Sequence, residues 1–230
     1  MRSSIDLPST QTAIIQHEGG SLKITSGLPV PDLKPHELLV RTASVALNPC
    51  DFKMPLRFPT PGLWDGCDFA GTVVAMGSKA AAERRFHFGE RVFGAVQGSN
   101  QADPTAGSYC EYLRIDQDFT FHLPKEVSFE AAPAISGTGI ATLGVALFWS
   151  LQISGTLEAP SKSPVDVLVY GGSSTIGLLA IQMVKLYVDS IPACRIMGQY
   201  TDDHHLAVVT VSSRHARQRI SIWFGRTAPT

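Results

Sequence analysis

Charge is scarce in this sequence. Only 17% of the 230 residues are charged, and 19 Lys and Arg against 20 Asp and Glu leave a net charge of −1. No basic excess is present to bind a phosphate backbone, so the composition argues against nucleic acid as a partner. Hydrophobic residues make up 44% of the chain, which excludes disorder as its dominant state. The length allows one large domain or two modest ones.

Closely spaced cysteines and long apolar runs are also missing. The four cysteines are scattered and include no CxxC pair, so we expect reduced thiols in a cytoplasmic protein: Cys50, Cys67, Cys110 and Cys194. Residues 1–12 are polar and contain no signal-peptide core. The longest apolar run, residues 139–149, is too short to cross a bilayer and predicts a buried helix rather than a membrane anchor.

The first half of the chain has the pattern of a β domain. Five segments are rich in β-branched and aromatic residues and are bounded by turn residues: Thr12–Gln16, Glu37–Leu47, Gly71–Met76, Arg91–Val96 and Tyr109–Ile115. They predict a compact barrel or sandwich. Residues 48–66 contain four prolines and predict an extended surface loop, and residues 97–107 predict a second loop.

The pattern changes after residue 127. Ser128 has the character of a helix N-cap, and an Ala-rich apolar helix is predicted to run to about Leu151. A polar linker, 154–164, then precedes the short apolar strand Val165–Tyr170. A glycine-rich turn and an apolar helix, Ile176–Leu186, follow it. Strand, glycine turn and helix in this order form the opening unit of a nucleotide-binding domain.

The glycine-rich turn predicts a phosphate site. Two glycines allow a tight turn near a pyrophosphate, and a third allows the helix to pack closely on the strand. The hydroxyl groups between them can donate hydrogen bonds to phosphate. The predicted contacts are Gly171, Gly172, Ser173, Ser174, Thr175, Ile176 and Gly177. The middle position of the usual glycine pattern is serine here, so a purely structural turn stays open as an alternative.

The composition of the last 44 residues differs from the rest. Lysine stops at Lys185 and glutamate at Glu158. We expect residues 187–230 to be an aberrant tail, translated from a wrong frame or from an unspliced intron. Within it, Val208–Val211 predicts a strand, and Asp202–His205 is interpreted as a solvated turn rather than a metal site.

Several motifs occur in one order along the chain: ALNPCDFKM (46–54), GCDFAGTVV (66–74), GERVFG (89–94), GSYCEY (107–112) and VLVYGGSS (167–174). Together they resemble the medium-chain dehydrogenase/reductase superfamily, in its zinc-free quinone-oxidoreductase-like branch. Within it, they are most similar to the trans-acting enoyl reductases of fungal polyketide synthases. The resemblance implies an α/β protein. A GroES-like β-barrel catalytic domain (1–127) would precede an incomplete Rossmann nucleotide-binding domain (128–186, with a bridging helix) and the tail.

The resemblance also implies a reaction and its residues. NADPH would give a hydride to an α,β-unsaturated acyl thioester on the carrier protein of a polyketide synthase, possibly a hybrid with a peptide synthetase. Lys53 is the catalytic candidate, which anchors cofactor or substrate, and the nicotinamide would be lined by Cys50, Asp51, Phe52 and Lys53. The polyketide acyl chain would lie along Thr142, Leu143, Gly144, Val145, Ala146, Leu147, Phe148 and Trp149.

Three further expectations accompany this resemblance. In zinc-dependent relatives, metal ligands occupy the positions of Asn48 and Cys67. Asparagine is a poor zinc ligand, so we expect no metal. Arg195 lies near where a reader of the NADPH 2′-phosphate could sit. Two alternative functions stay open: a stand-alone quinone or alkenal reductase of the same fold, and an inactive truncated remnant.

Overall fold

The computed structural model describes residues 7–151, 166–172, 174–189, 194–201, 206–213 and 219–223. The chain divides into two compact units, residues 1–138 (the first unit) and 139–230 (the second unit).

The first unit is built on an antiparallel sheet. Five strands pair in the order β6-β3-β4-β5-β7, and β1 and β2 form a separate antiparallel hairpin. The elements are β1 Thr10–Gln16, β2 Leu22–Pro29, β3 Glu37–Val45, α1 Pro49–Arg57, β4 Asp68–Met76, α2 Ser78–Glu83, β5 Arg91–Ala95, β6 Tyr112–Asp116 and β7 Thr120–His122. Short 3-10 turns occupy Glu18–Gly20, Gln117–Phe119 and Ala132–Ile135.

All five predicted strands are present with shifted ends, but β2, β7 and α2 were not predicted. In β2 the more buried side chains recur every third residue rather than every second, so the strand lacks the alternation that sequence reasoning detects. Strand β7 has only three residues.

The prediction of an extended loop over residues 48–66 was wrong, because α1 occupies half of it. Pro49 stands at the first helical position, where its missing N–H removes no helical hydrogen bond. The carboxylate of Asp51 then accepts the backbone N–H of Asn48 at 2.7 Å. This cap offsets the proline content that predicted a loop.

The core of the first unit lies along β3, β4 and β5. Its fully buried side chains include Leu38, Val40, Phe69, Val73, Val92 and Leu113. A carboxyl group also lies inside: Asp65 is 1% exposed, and its Oδ1 accepts the Ser99 hydroxyl at 2.6 Å. Burial raises the pKa of Asp65, although the bond from Ser99 acts in the opposite direction.

Arg91, at the start of β5, holds the segment that follows β7. Its guanidinium donates to the carbonyl oxygens of Pro124 (3.2 Å), Lys125 (3.3 Å) and Val127 (2.7 Å). It also lies 4.4 Å from the centroid of the Phe129 ring. One side chain thus fixes a stretch of irregular backbone.

The helix predicted from Ser128 is broken into pieces. The Ser128 hydroxyl accepts the N–H of Ala131 at 3.2 Å, but only a turn forms there. The 3-10 turn Ala132–Ile135 ends at Ser136, which is extended (φ −79°, ψ −167°). Helix α3 (Gly137–Gly144) then begins, and the π-helical turn Val145–Ser150 continues it.

Among the described residues, one helical stretch is long and apolar enough to cross a membrane by length and composition alone. It is Ala132–Ser150, longer than the run recognised in the sequence, with a mean hydropathy of 1.4 and 39% of it buried in the protein. Because Ser136 interrupts it and Leu143 and Leu147 lie in a hydrophobic core, we interpret it as a core helix.

The second unit contains a mixed sheet and one long helix, α4 (Thr175–Asp189). Its strands are β8 Asp166–Tyr170, β9 Cys194–Thr201, β10 Leu206–Ser213 and β11 Arg219–Trp223, in the order β11-β8-β10-β9. Strand β11 is parallel to β8, whereas β10 is antiparallel to both of its neighbours. The predicted strand before the glycine turn, the helix after it and the strand at Val208–Val211 are confirmed. The linker 154–164 and Asp202–His205 lie outside the described residues.

A small core holds α4 in the second unit. It comprises Leu143, Leu147, Val169, Leu179, Ala180 and Val184. The apolar segment before the linker therefore packs with the strand and the helix that flank the glycine turn.

Candidate functional site

A buried carboxylate organises the N-terminus of α1. Asp51 is 6% exposed, and its Oδ2 accepts the Asn48 N–H at 2.7 Å and the Tyr109 hydroxyl at 2.6 Å. Burial and the contact with Asp51 raise the pKa of Tyr109, so this phenol stays protonated as a donor. Asp51 thus caps the helix and orients a tyrosine that lies 58 residues later in the chain.

A second buried carboxylate lies beside the first, at the start of β4. Asp68 is 2% exposed; its Oδ2 accepts the Asn48 side-chain amide at 2.8 Å. Its Oδ1 accepts the backbone N–H and the hydroxyl of Thr138 at 2.9 and 3.0 Å. Burial raises the pKa of Asp68, and these hydrogen bonds oppose that shift. Asn48 therefore links the two carboxylates.

Two thiols lie next to this pair of carboxylates. The Sγ atoms of Cys50 and Cys67 are 4.0 Å apart, and Cys50 Sγ is 3.6 Å from Asp51 Oδ1. The contact between the thiols lowers the pKa of Cys50, and the same contact, together with burial, raises the pKa of Cys67. Both are free and half-buried, as is Cys110, and the expectation of reduced thiols stays a prediction.

The cluster also brings metal-ligating atoms together. Among the described residues, the ligand atoms of Cys50, Asp51 and Cys67 lie within 4.8 Å of one another. A structural zinc site uses four ligands, and the side chain of Asn48 is already bonded to Asp68. The three donors fall short of a structural zinc site, and the expectation of no metal stays a prediction.

The other two predicted residues of α1 face outward. Lys53 is exposed, and its ammonium lies 5.7 Å from the centroid of the Phe52 ring, which is 53% exposed. Leu47 and Leu56, 84% and 61% exposed, add to the apolar surface around this helix. Cys50 and Asp51 thus point into the polar cluster, whereas Phe52 and Lys53 are available to a ligand.

The glycine turn of the second unit has the tight geometry that the sequence predicts. Gly171 adopts φ +77°, and a Cβ on Gly177 would lie 2.2 Å from the Gly171 carbonyl oxygen. The Ser174 hydroxyl donates to that same oxygen at 2.8 Å and accepts the Gly177 N–H at 3.1 Å, so it caps α4. A Cβ at Gly177 would thus meet the turn itself, and the prediction that Gly177 lets the helix pack closely on the strand stays a prediction. Ser173 lies outside the described residues.

The predicted acyl-chain segment divides into buried and exposed positions. Leu143 and Leu147 are buried in the core of the second unit. Val145, Phe148 and Trp149 are 57%, 42% and 82% exposed. Two of the eight candidates therefore serve as core, and the apolar side chains open to a ligand come from the π-helical turn.

Comparison with known proteins gives a consistent assignment. The model of the alcohol dehydrogenase GroES-like domain matches residues 34–125. The enoyl reductase cheB of Chaetomium globosum is 50% identical over 184 residues, which cover 80% of this chain and 49% of that protein. The trans-enoyl reductase ffsC of Aspergillus flavipes is 51% identical over 185 residues, 80% of this chain and 50% of that protein.

A solved structure agrees with these relatives. The quinone oxidoreductase of Pseudomonas syringae superposes with a TM-score of 0.56 at 25% identity, covering 76% of this chain and 50% of that one. The chain belongs to the medium-chain dehydrogenase/reductase superfamily. Its fold class is α/β, with a GroES-like domain followed by an incomplete nucleotide-binding unit. The chain spans about half the length of the curated relatives it matches.

Sequence reasoning about this chain missed three members of the polar cluster. Tyr109 and Asp68 lie within recognised motifs, and Thr138 directly precedes the apolar run 139–149. Nothing in the sequence indicates that these residues join the cluster at the N-terminus of α1. Their partners are 58 and 70 residues away along the chain. Only the family motifs, read as parts of one site, could have indicated them.

Proposed function

We propose that this chain carries part of a trans-acting enoyl reductase. The reaction transfers a hydride from NADPH to an α,β-unsaturated acyl thioester held on the carrier protein of a polyketide synthase. The observation that carries the proposal is the identity of about one residue in two, over 184 and 185 residues, with two proteins named as enoyl reductases.

The outward residues of α1 suit this chemistry. Reduction of the double bond places negative charge on the thioester oxygen, and a fixed cationic donor stabilises such charge. Lys53 would hold that oxygen, or the cofactor beside it, while the buried Asp51 and its hydrogen bonds fix the helix from which Lys53 extends. Phe52 would exclude water from the same surface.

The glycine turn fits the pyrophosphate of a dinucleotide. The helix N-terminus offers backbone N–H groups and a positive dipole end, and the absence of a side chain at Gly177 keeps the turn tight. Gly171, Gly172, Thr175 and Ile176 would approach the phosphates through the backbone. Ser174 would act by shaping the turn, because its hydroxyl already bonds to Gly171. When bound, NADPH supplies the hydride.

The partners and the location follow from the same proposal. The substrate would be a polyketide acyl chain, which the exposed Val145, Phe148 and Trp149 would contact. The partner would be a polyketide synthase, or its hybrid with a peptide synthetase, acting through the carrier protein. Free thiols at Cys50, Cys67 and Cys110 fit a cytoplasmic location.

A substrate comparison tests this proposal. We expect NADPH oxidation, followed at 340 nm, to be faster with a crotonyl carrier protein than with a free quinone or alkenal. Lys53→Met should lower kcat/KM by about 10²–10³-fold. Lys79→Met, at another exposed helical lysine, is the matched control and should leave the rate unchanged. Preference for the free enone would support the stand-alone reductase, and failure to bind NADPH would support the inactive remnant.

We also propose that residues 187–230 are not the family's continuation of the nucleotide-binding domain. Strand β10 runs antiparallel to β8, whereas a doubly wound domain places parallel strands beside its first strand. Sequencing the spliced transcript across the Leu186 codon tests this proposal. Removal of an intron there is expected, and a message that continues unspliced to Thr230 would contradict it.

A further inference from the structure

We propose that Cys50 and Cys67 form a redox-active dithiol, which hydrogen peroxide or a small-molecule disulfide converts reversibly into an intramolecular disulfide. This inference depends on the thiol geometry alone and stands whether or not the proposed reductase function is correct.

The two thiols are already in contact. Their Sγ atoms lie 4.0 Å apart, and a disulfide brings sulfurs to about 2.05 Å. Cys50 is in the first turn of α1, and Cys67 directly precedes β4. Closing the disulfide requires the two sulfurs to approach by about a further 2 Å. Both residues are half-buried rather than enclosed, so a small oxidant can reach them.

Oxidation by peroxide proceeds in two balanced steps. One thiolate, having released its proton to solvent, attacks a peroxide oxygen; the O–O bond breaks, and a sulfenic acid and hydroxide form. The second thiol then attacks the sulfenic sulfur, and its proton leaves with the hydroxyl group as water. In total, two thiols and one peroxide give one disulfide and two waters. A small disulfide does the same by two exchange steps and releases two thiols.

The third described thiol provides an internal contrast. Cys110 donates to the Gly107 carbonyl oxygen, with 3.4 Å between the heavy atoms, and burial raises its pKa to about 12. A protonated thiol is a poor nucleophile, so Cys110 should resist oxidation under conditions that close the pair. We therefore expect an oxidant to react with the Cys50–Cys67 pair and to leave Cys110, in the same unit, as a thiol.

Peptide mapping of the full chain tests the dithiol directly. After brief peroxide treatment and alkylation of the remaining thiols, trypsin separates the two cysteines, because cleavage follows Arg41, Lys53, Arg57 and Lys79. We expect peptides 42–53 and 58–79 to appear as one disulfide-linked species, two hydrogen masses below their sum. Dithiothreitol should return both peptides unmodified.

Variants and the alternative products complete the test. Cys110→Ser should retain the linked species, whereas Cys50→Ser and Cys67→Ser should abolish it. Peroxide that leaves Cys50 and Cys67 unlinked, or oxidises each separately to a sulfinic acid, would overturn the proposal. So would linkage of either cysteine to Cys110 or Cys194 in equal yield. The wild-type map decides the question even if a serine variant does not fold.

Discussion

The two units of the chain use their strands differently. In the first, each strand of the five-stranded sheet pairs antiparallel with its neighbours, and the core fills with side chains from β3, β4 and β5. In the second, β8 lies between a parallel and an antiparallel strand. The five-stranded sheet of the first unit is thus antiparallel throughout, whereas the described residues of the second unit hold one strand-turn-helix of the nucleotide-binding pattern within a mixed sheet.

Truncation of a core side chain should give the largest loss of stability, and it tests whether the two units unfold independently. Phe69→Ala, at a fully buried position, should destabilise the first unit by about 3–5 kcal/mol. Leu143→Ala should destabilise the second by about 2–5 kcal/mol. Urea unfolding gives the free energies, and hydrogen exchange by mass spectrometry locates them. Each variant should raise exchange in its own unit; a common rise in both would contradict the division.

The glycine turn offers a narrower test of the second unit. Gly177→Ala places a Cβ 2.2 Å from the Gly171 carbonyl oxygen, so we expect a loss of about 1–3 kcal/mol from overpacking and weaker NADPH binding in a fluorescence titration. Gly144→Ala is the control, because a Cβ there meets nothing within 4 Å. Equal behaviour of the two variants would remove the steric role assigned to Gly177.

The polar cluster of the first unit should respond to loss of its cap. Asp51→Ala leaves the Asn48 N–H without its acceptor and leaves the Tyr109 hydroxyl with the Ala46 carbonyl oxygen alone. Buried donors that lose a partner cost about 1–3 kcal/mol, measured by urea unfolding. Asp32→Ala, at an exposed carboxylate, should change stability by less than about 0.5 kcal/mol. An unaffected Asp51→Ala protein would show that the cluster does not stabilise α1.

The smallest expected effect is on how stability changes with pH, where two carboxyl groups of the first unit, Asp65 and Asp103, should act in opposite directions. Burial raises the folded-state pKa of Asp65 above its unfolded value, so ionisation of this group reduces stability as pH rises through those two values. Burial raises the pKa of Asp103, but the hydrogen bonds and charges of Lys34 and Arg114 outweigh burial and lower that pKa below its usual value. The ionised Asp103 therefore stabilises the fold, and this stabilisation is lost as pH falls.

Unfolding in urea at pH 3 and pH 7 compares the two carboxyl groups. Between these values, Asp65→Asn should gain stability relative to wild type as pH rises, whereas Asp103→Asn should lose it. The change with pH is the readout, because it is independent of any constant effect of the substitution. If the free energy of unfolding relative to wild type changed in the same direction with pH in both variants, the opposite pKa shifts of Asp65 and Asp103 would be contradicted.

The sequence predicts local features better than it predicts the site. The strand β3 and the glycine turn before α4 are predicted from the residues of short stretches, and both are present. Helix α1 was missed because its prolines outweighed a cap that depends on Asn48 and Asp51. The contacts of Tyr109 and Asp68 join positions 58 and 70 residues from their partners, and no local pattern encodes such distances.

The guanidinium of Arg91 has a consequence for how the chain can vary. It recognises the carbonyl oxygens of residues 124, 125 and 127, which every amino acid provides alike. Substitutions at the exposed Pro124 and Lys125 should therefore leave these acceptors in place, whereas loss of Arg91 would release the backbone where it leaves the sheet.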